Sequence, residues 1–295
     1  MQQISESELR KQIPIYYFLV IAWPAYVLFL PMIYAQLGWI SIAFMLFPGA
    51  YLYIWIALLM HECWHKYVPG INHSFFYNLY SFMLVTDPQL YKLVHGHHHS
   101  KVNTWQDVEF HPFGRIKNSF LRRLHNFAEI FIGIIYMIPI LMQVLPKHET
   151  YASKYRHSMH YIAIAAWIVI YGTLAALSIT IFDLTIMQIV VPFVISSWIC
   201  SLALHHTQLI EHANLIVEGD FHQRNIQTRN LRRIGILENI CHFLTHSDPR
   251  QHVLHHTMVQ RHSRPFPYKI QSPENSVFIS ISQHMGILWN MLTKG

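Results

Sequence analysis

The sequence predicts an all-α integral membrane protein in which four transmembrane helices form two hairpins and a helical cap lies on the cytosolic side. Of the 295 residues, 53% are hydrophobic and only 12% are charged, whereas soluble globular domains carry about 25% charged residues. The apolar residues are collected in long runs, and the Lys and Arg residues lie outside these runs. No internal sequence repeat is visible, so we expect residues 1–295 to form a single domain.

The first predicted hairpin has crossings at about residues 13–36 and 39–60. Each run has the ~20 residues that are needed to cross ~30 Å of hydrocarbon, and a tight turn at Gly38 joins them. Pro24 and Pro31 interrupt the first run, which membrane helices tolerate. The two runs therefore predict one antiparallel pair of membrane helices.

The second predicted hairpin has crossings at about residues 160–182 and 185–207, with Asp183 at the turn. Two other apolar stretches, Phe75–Val85 and Ile130–Leu145, are too short to span a bilayer. We expect the first of them to lie at the membrane interface. The second is expected to lie in the membrane plane or to pack under the cap.

The positive charges predict which side of the membrane each segment faces. All 21 Lys and Arg residues lie in the polar lead (1–12), in 61–156 or in 208–295. The positive-inside rule places these segments, which form the predicted cap and both termini, in the cytosol. Within them, the amphipathic stretch Phe278–Leu292 is expected to lie on the membrane. We therefore expect a multi-pass protein of a bacterial inner membrane or the endoplasmic reticulum, without a cleavable signal peptide.

Histidine is the unusual residue of this chain, with 23 copies that are dispersed rather than collected in one tract. Three clusters contain closely spaced pairs: His61-Glu-Cys-Trp-His65, His95-Gly-His-His-His99 and His252-Val-Leu-His-His256. On a helix, His61 and His65 lie on one face, one turn apart. All three clusters lie in the predicted cytosolic segments. Because imidazole suits Zn, Cu, Fe and Ni, this pattern indicates a metal site.

The number of histidines predicts two metal ions. A single zinc needs about four ligands, and the clusters offer eight, with His212 as a plausible ninth. The eight are His61, His65, His95, His98, His99, His252, His255 and His256. Two ions held mainly by neutral imidazoles favour a dinuclear iron site for O2 chemistry, and the apolar body favours a long aliphatic substrate. For the ninth ligand, His205, His206 and His246 are the alternatives.

The chain resembles the membrane fatty acid desaturase and hydroxylase superfamily over roughly residues 50–265. The resemblance rests on the three ordered histidine clusters and on flanking residues. These are Asn103-Thr and Asp107-Val-Glu109 after the second cluster and Gln227-Thr-Arg-Asn230 before the third. The resemblance implies a non-haem centre with two Fe ions, O2 as co-substrate, a lipid or acyl substrate and an external electron donor of the ferredoxin or cytochrome b5 type. It also implies that the eight histidines, with His212, are the iron ligands, and no nucleic acid is expected as a partner.

Four carboxylates close to these histidines are candidates for orienting the ligating imidazoles, as carboxylates around metal sites do. They are Glu62, Asp107, Glu211 and Asp248. Several other histidines, among them His125 and His284, are expected to be ordinary surface or interfacial residues. Cys63 and the other two cysteines are expected to be reduced thiols, because their number and spacing give no disulfide framework.

Two reactions fit the resemblance. Many desaturases have Asn at the position of Asp248, whereas Gln208-Leu-Ile-Glu-His212, His246-Ser-Asp248 and Arg264-Pro-Phe resemble the alkane hydroxylase branch. An O2-dependent desaturase of a fatty acyl chain (linked to lipid, CoA or a carrier) and a hydroxylase of an acyl or alkyl chain therefore stay open.

Two other functional classes fit the histidines less well. A zinc-dependent membrane hydrolase needs only three or four ligands and an open position. A metal transporter would hold its ion near the bilayer midplane, whereas these histidines follow helix ends and loops.

Overall fold

The computed structural model describes residues 2–4, 7, 10–11, 13–66, 68–148, 151–219, 229–231, 268–270 and 277–294. The third histidine cluster lies outside these residues. The same is true of Asp248, of the alternative ligand His246 and of Arg264-Pro-Phe. The predictions that concern them stay predictions.

The described residues are mainly helical, in agreement with the predicted class. Their α-helices are α1 (Ile13–Leu37), α2 (Ile42–Phe44), α3 (Ala50–His65), α4 (His73–Met83), α5 (Pro88–Lys101), α6 (Ser119–Ile132), α7 (Ile134–Val144), α8 (His157–Phe182), α9 (Ile186–His212) and α10 (Ile281–Thr293). Short 3-10 turns lie at Gly38–Ser41 and Leu145–Lys147, and a π-helical turn lies at Met45–Gly49.

Within the described part of the chain, four strands of three residues each accompany the helices, and the sequence did not predict them. They are β1 (Gln2–Ile4), β2 (Arg229–Leu231), β3 (Tyr268–Ile270) and β4 (Val277–Ile279). β1 pairs with β3 antiparallel, with Gln2 opposite Ile270. β2 pairs with β4 in parallel, with Arg229 opposite Val277. These pairs are too short to change the helical class of the protein.

Three helical stretches of the described chain are long and apolar enough to cross a membrane: Ile13–His65, His157–Phe182 and Ile186–His212. The first stretch contains both crossings of the first predicted hairpin. Gly38 interrupts it with a left-handed backbone (φ +56°), a conformation that glycine adopts without steric cost. The membrane character of these runs is confirmed, while the four-crossing topology and its sidedness stay predictions.

The chain forms two compact units, and the first consists of Ser7–Gln89 and Arg156–Ala203. Hydrogen bonds between side chains and neighbouring helices hold it together. The Tyr16 hydroxyl at the start of α1 donates to the Glu62 carboxylate near the end of α3 (3.2 Å), so the chain reverses direction between them. The Trp23 indole of α1 donates to the Tyr171 hydroxyl of α8 (3.2 Å). Such interhelical hydrogen bonds stabilise helix packing where lipid provides no hydrophobic drive.

The second unit consists of Met1–Glu6, Leu90–Tyr155 and Leu204–Gly295. One apolar cluster packs α5 against α7 and the segment after it. Its buried members are Leu90, Val94, Leu141, Leu145 and Tyr155. A second cluster joins α6, the end of α9 and α10. Its buried members are Ile130, Leu209, Ala213, Leu288 and Met291. These two clusters fix α5 and the end of α9, which carry the histidines discussed below.

The three short apolar or amphipathic stretches that the sequence predicts are helices in the structure. They correspond to α4, α7 and α10, which have 11, 11 and 13 residues. All three are shorter than the ~20 residues of a membrane crossing. Their position relative to the bilayer and the single-domain organisation stay predictions.

Candidate metal centre

Helix α5 presents the second histidine cluster on one buried face. The helix begins at Pro88, and the Asp87 side chain accepts the backbone N–H of Gln89 (2.8 Å) at this end. His95, His98 and His99 follow at i, i+3 and i+4, which is the spacing of residues that share a helix face. Their exposed fractions are 3%, 1% and 2%. Polar side chains are seldom buried to this extent unless they are hydrogen-bonded or bound to a metal.

The loop after α5 is shaped by Asn103. This residue adopts the left-handed conformation (φ +57°), which asparagine tolerates better than most residues. Its backbone carbonyl accepts the N–H of Val217 (2.9 Å), and its side-chain Oδ1 lies 2.9 Å from Nδ1 of His212. Asn103 therefore ends the histidine-bearing segment and also contacts the histidine at the end of α9.

Four imidazoles of the second unit lie together. The ring centroids of His95 and His99 are 4.3 Å apart, and those of His98 and His212 are 4.9 Å apart. The ring of Tyr91 stacks on His95 at 5.1 Å, and that of Phe110 lies 4.8 Å from His212. Aromatic rings thus cover part of the cluster.

Three of these imidazoles have Nδ1 within hydrogen-bonding distance of an oxygen. Nδ1 of His98 lies 2.7 Å from Oδ2 of Asp107, Nδ1 of His95 lies 3.3 Å from Oε2 of Glu109, and Nδ1 of His212 faces Asn103. Carboxylate and amide oxygens only accept hydrogen bonds, so each Nδ1 carries the hydrogen. In the neutral imidazole, Nε2 is then the nitrogen with a free electron pair, which is the arrangement of metal-binding histidines.

Two pairs of Nε2 atoms lie close together. His95 and His99 bring theirs to 2.8 Å in the second unit, and His61 and His65 bring theirs to 2.9 Å in the first unit. Two nitrogens bound at right angles to one ion, each about 2.1 Å away, would be about 3 Å apart. All four residues are buried, and each offers one ring nitrogen that could hold a metal ion. Without a metal, one nitrogen of each pair donates to the other, and an ion would replace that proton.

The electrostatics of the cluster favour a cation. Burial lowers the pKa of His98, but the negative charges of Asp107 and Glu109 outweigh burial and raise it to about 9. Burial, followed by the neighbouring His98, lowers the pKa of His95 well below its usual value. One imidazole is therefore charged opposite buried carboxylates, while its neighbour is neutral. A bound metal ion would supply the positive charge in place of the His98 proton.

Comparison with known protein families matches residues 37–267 to the family described as Fatty acid desaturase. The matched stretch is most of the chain and includes all three histidine clusters. The chain belongs to the fatty acid desaturase family. As a member of this family it is an oxidoreductase of lipid acyl chains, associated with a membrane, with a metal site at its buried histidines. No curated protein and no solved structure matches the chain.

Within this desaturase-family site, three residues have contacts that the sequence did not predict. Asn103 and Glu109 contact His212 and His95, and Gln208 donates from Nε2 to Oε1 of Glu109 (2.9 Å). All three lie in motifs that carry the resemblance. The sequence contains one signal that could have indicated these roles. All three side chains carry an oxygen, and they lie shortly after the second cluster or shortly before His212.

The alternatives for the ninth ligand that lie within the described residues make different contacts. His212 faces His98, as described above. The His206 ring instead donates from Nε2 to the backbone carbonyl of Ile130 (2.9 Å), and Nδ1 of His205 lies 3.3 Å from Oε1 of Gln208. The choice of His212 over these alternatives stays a prediction, as does the ligand set as a whole.

The candidate carboxylates differ in what they contact. Asp107 is 1% exposed and contacts His98, as expected. Oε2 of Glu211 lies 3.6 Å from Nε2 of His212. Glu62 instead accepts the hydroxyl hydrogen of Tyr16, which ties α1 to the helix that ends in the first histidine cluster.

The prediction that His125 and His284 are ordinary surface or interfacial residues is wrong, because both are buried. Their exposed fractions are 8% and 7%. Nδ1 of His125 lies 2.9 Å from the Tyr136 hydroxyl. The polar face of α6 points to the interior of the second unit and buries His125, and His284 is buried on α10.

A cavity of about 40 Å³ lies beside this polar face, large enough for one or two waters. It is lined by Trp105, Phe110, His111, Gly114, Ile116, Arg122, His125, Asn126, Glu129, Leu209, His212, Ala213, Asn214 and Met291. His212 is thus a member of both the imidazole cluster and the wall of a polar cavity. The cavity is therefore large enough for water beside His212.

Proposed function

We propose that this chain is an O2-dependent di-iron desaturase that introduces a double bond into a fatty acyl chain carried by lipid, CoA or a carrier protein. The observation that carries the proposal is the set of imidazoles whose Nδ1 atoms are held by Asp107, Glu109 and Asn103. In a member of the desaturase family, such a set is suited to a metal ion that reacts with O2.

The proposed ligands are the eight histidines of the three clusters together with His212. They would hold two iron ions, because they exceed the about four ligands of a single site. When bound, the iron pair supplies the oxidising chemistry that removes hydrogen from an unactivated C–H bond. The proposed topology has four crossings, with the termini and the active site in the cytosol.

The residues around the imidazoles have two proposed tasks. Asp107, Glu109 and Asn103 keep the rings in the tautomer and orientation that ligation requires. Tyr91 and Phe110 cover the rings and keep bulk water from the reacting chain. Desaturation converts CH2–CH2 and O2 into CH=CH and two waters, so it consumes two electrons and two protons. An external ferredoxin or cytochrome b5 type donor would supply the electrons.

A hydroxylase is the second candidate, and one observation favours it. The Gln208-Leu-Ile-Glu-His212 segment, which resembles the alkane hydroxylase branch, contacts the site through Gln208 on Glu109 and Glu211 beside His212. The same ligands would then direct oxygen transfer to the chain.

Mass spectrometry of acyl lipids and acyl intermediates tests the reaction. Cells that express the chain are compared with cells that express His98→Ala, and His157→Ala is the matched control because His157 is exposed at the start of α8. A product lighter by two hydrogens supports desaturation, and a product heavier by one oxygen supports hydroxylation. Either product should disappear with His98→Ala and persist with His157→Ala.

Metal analysis of the purified protein tests the cofactor. We expect about two irons per chain, as the number of histidines implies. If a single stoichiometric zinc restored activity to metal-free protein, the di-iron proposal would be wrong and a zinc hydrolase would be favoured. Metal uptake into proteoliposomes would instead favour a transporter.

A further inference from the structure

Helix α6 of the second unit exposes several large apolar residues and buries polar ones on the opposite side. Phe120, Leu124 and Phe127 are 70%, 55% and 51% exposed. His125 and Glu129 are 8% and 3% exposed. A surface helix of a water-soluble protein has the opposite arrangement, with its apolar stripe toward the core.

Specific contacts fix this orientation of α6. Asn126 donates from Nδ2 to the carbonyl of Met291 (2.7 Å), and Nδ1 of His125 lies 2.9 Å from the Tyr136 hydroxyl. Rotating the helix to bury the phenylalanines would break both hydrogen bonds and expose the cavity next to His212. The outward apolar face is therefore a consequence of the polar interior.

Helix α10 continues the exposed apolar surface. It packs on α6 through Leu288 and Met291, which belong to the same buried cluster as Ile130. Its outer residues Met285 and Trp289 are 57% and 66% exposed and lie one turn apart. Exposed apolar patches of several large side chains mark sites of contact with a membrane or a protein.

A basic edge adjoins this surface at the start of α6. Arg115, Lys117 and Arg123 are exposed, and Arg122 donates to the carbonyl of Ile116 (3.0 Å), which holds the basic segment next to the helix. Apolar residues beside exposed Lys and Arg are the composition of helices that lie in the interface of anionic membranes. A tryptophan at such a surface favours the same location.

We propose that α6 and α10 lie in the membrane interface, with Phe120, Leu124, Phe127 and Trp289 among the acyl chains and the basic edge against anionic headgroups. With 14 and 13 residues, both helices are too short to span the bilayer. This assignment holds whether the reaction is desaturation or hydroxylation. It gives α6 two partners, lipid on the outer face and the polar cavity on the inner face.

Fluorescent labelling of single cysteines in the full chain tests the proposal. The background variant is Cys241→Ser, because the other native cysteines, Cys63 and Cys200, are buried. An environment-sensitive NBD label is attached to Phe127→Cys and, as a second position on the same face, Leu124→Cys. The control is Ser153→Cys, in an exposed polar turn of the same unit. Purified proteins with normal iron content are placed in nanodiscs of phosphatidylcholine and phosphatidylglycerol.

We expect the labels at positions 127 and 124 to lose most of their emission to lipids that carry a nitroxide near the headgroup, and little to aqueous dithionite. The label at position 153 should respond in the opposite way. Lys117→Glu combined with Arg123→Glu should weaken the lipid quenching, and replacing phosphatidylglycerol by phosphatidylcholine should do the same.

Two results would overturn the proposal. Dithionite quenching at positions 127 and 124 equal to that at 153 would place α6 in water. Protection from both quenchers would mean that another protein surface covers it, and in purified samples that surface would be a second copy of this chain. The background variant without an introduced cysteine measures any label on Cys63 and Cys200.

Discussion

At the scale of single residues, the hydrogen bonds behind the imidazoles matter as much as the imidazoles. Asp107 is the most buried of the carboxylates at the site and makes the shortest of these contacts, to Nδ1 of His98. Loss of such a partner typically costs 10- to 100-fold in metal affinity or activity. We therefore expect Asp107→Ala to weaken iron binding by about 10- to 100-fold, measured by competition with a chelator.

The matched control for this variant is Glu218→Gln, which removes an exposed carboxylate from the same unit. It should leave the iron affinity unchanged. If Asp107→Ala bound iron as tightly as the natural chain, the contact with Nδ1 of His98 would have no part in holding the ligand.

Glu129 gives a prediction about pH. Burial raises its pKa to about 8, well above the about 4.3 of an unfolded glutamate. Its stabilising contribution is therefore complete below about pH 4 and is lost as the pH rises toward 8, because only the unfolded chain ionises in that window. Glu129→Gln cannot ionise. We expect the two proteins to melt at similar temperatures near pH 5. At pH 8 to 8.5 the variant should melt at the higher temperature, because its free energy of unfolding is then greater by roughly a few kcal/mol.

Protonated His125 could in principle offset the loss of stability by pairing with ionised Glu129, but His125 is neutral in this pH range. It lies 3.5 Å from Glu129, but burial, followed by the nearby His111, lowers its pKa to about 4, so it is neutral throughout the window. Melting curves of Glu129→Gln and of the natural chain, recorded from pH 5 to 8.5, are compared with those of Glu218→Gln. Parallel curves for all three proteins would show that Glu129 ionises normally.

The histidine pattern alone singled out the second cluster and His212 as candidate ligands, and in the structure their rings lie close together. It did not predict the roles of Asn103, Glu109 and Gln208. Gln208 and Glu109 are 99 positions apart, and a contact of this kind depends on how the end of α9 packs in the second unit. Local spacing carries no information about such a contact.

At the scale of elements, the runs that became α1, α3, α8 and α9 were predictable because length and apolar character are local properties. The orientation of α6 was not. Periodicity shows that a helix has an apolar face and a polar face, but it does not show which face is inside. Soluble proteins bury the apolar face, whereas a helix beside lipid can bury the polar one. His125, which was expected to be a surface or interfacial residue, is buried on this polar face.

The turn before α3 gives a prediction for helix packing. A Cβ at Gly49 would overlap the ring and hydroxyl of Tyr26 on α1, and that hydroxyl is 2.7 Å from Oγ of Ser196. Gly49→Ala should displace Tyr26 and break this hydrogen bond, which is worth about 1 kcal/mol. We expect the melting temperature to fall by a few degrees.

A double-mutant cycle checks the cause. Tyr26→Ala removes both the ring and the hydroxyl that the new methyl group would meet, so Gly49→Ala should cost less in the Tyr26→Ala background than in the natural chain. Equal costs in both backgrounds would mean that the effect of Gly49→Ala comes from its own backbone and not from Tyr26.

At the scale of the whole molecule, the division into two units explains why we expect metal binding to stabilise the folded protein. The first unit contains His61 and His65, and the second contains His95, His98, His99 and His212. Each set comes close only when its own unit is folded, as the buried Nε2 pairs require. An ion that binds either set binds the folded chain and not the unfolded one, and it therefore stabilises the fold.

We predict that iron raises the melting temperature of metal-free protein. At a free concentration of 100 times the dissociation constant, the gain is about 2.7 kcal/mol, and each kcal/mol corresponds to about 2–4 °C for a chain of this size. His98→Ala and His212→Ala should reduce the shift, whereas His157→Ala should retain it. A full shift with His212→Ala would exclude His212 as the ninth ligand. A shift that none of the three variants alters would place the bound iron away from the histidines of the second unit.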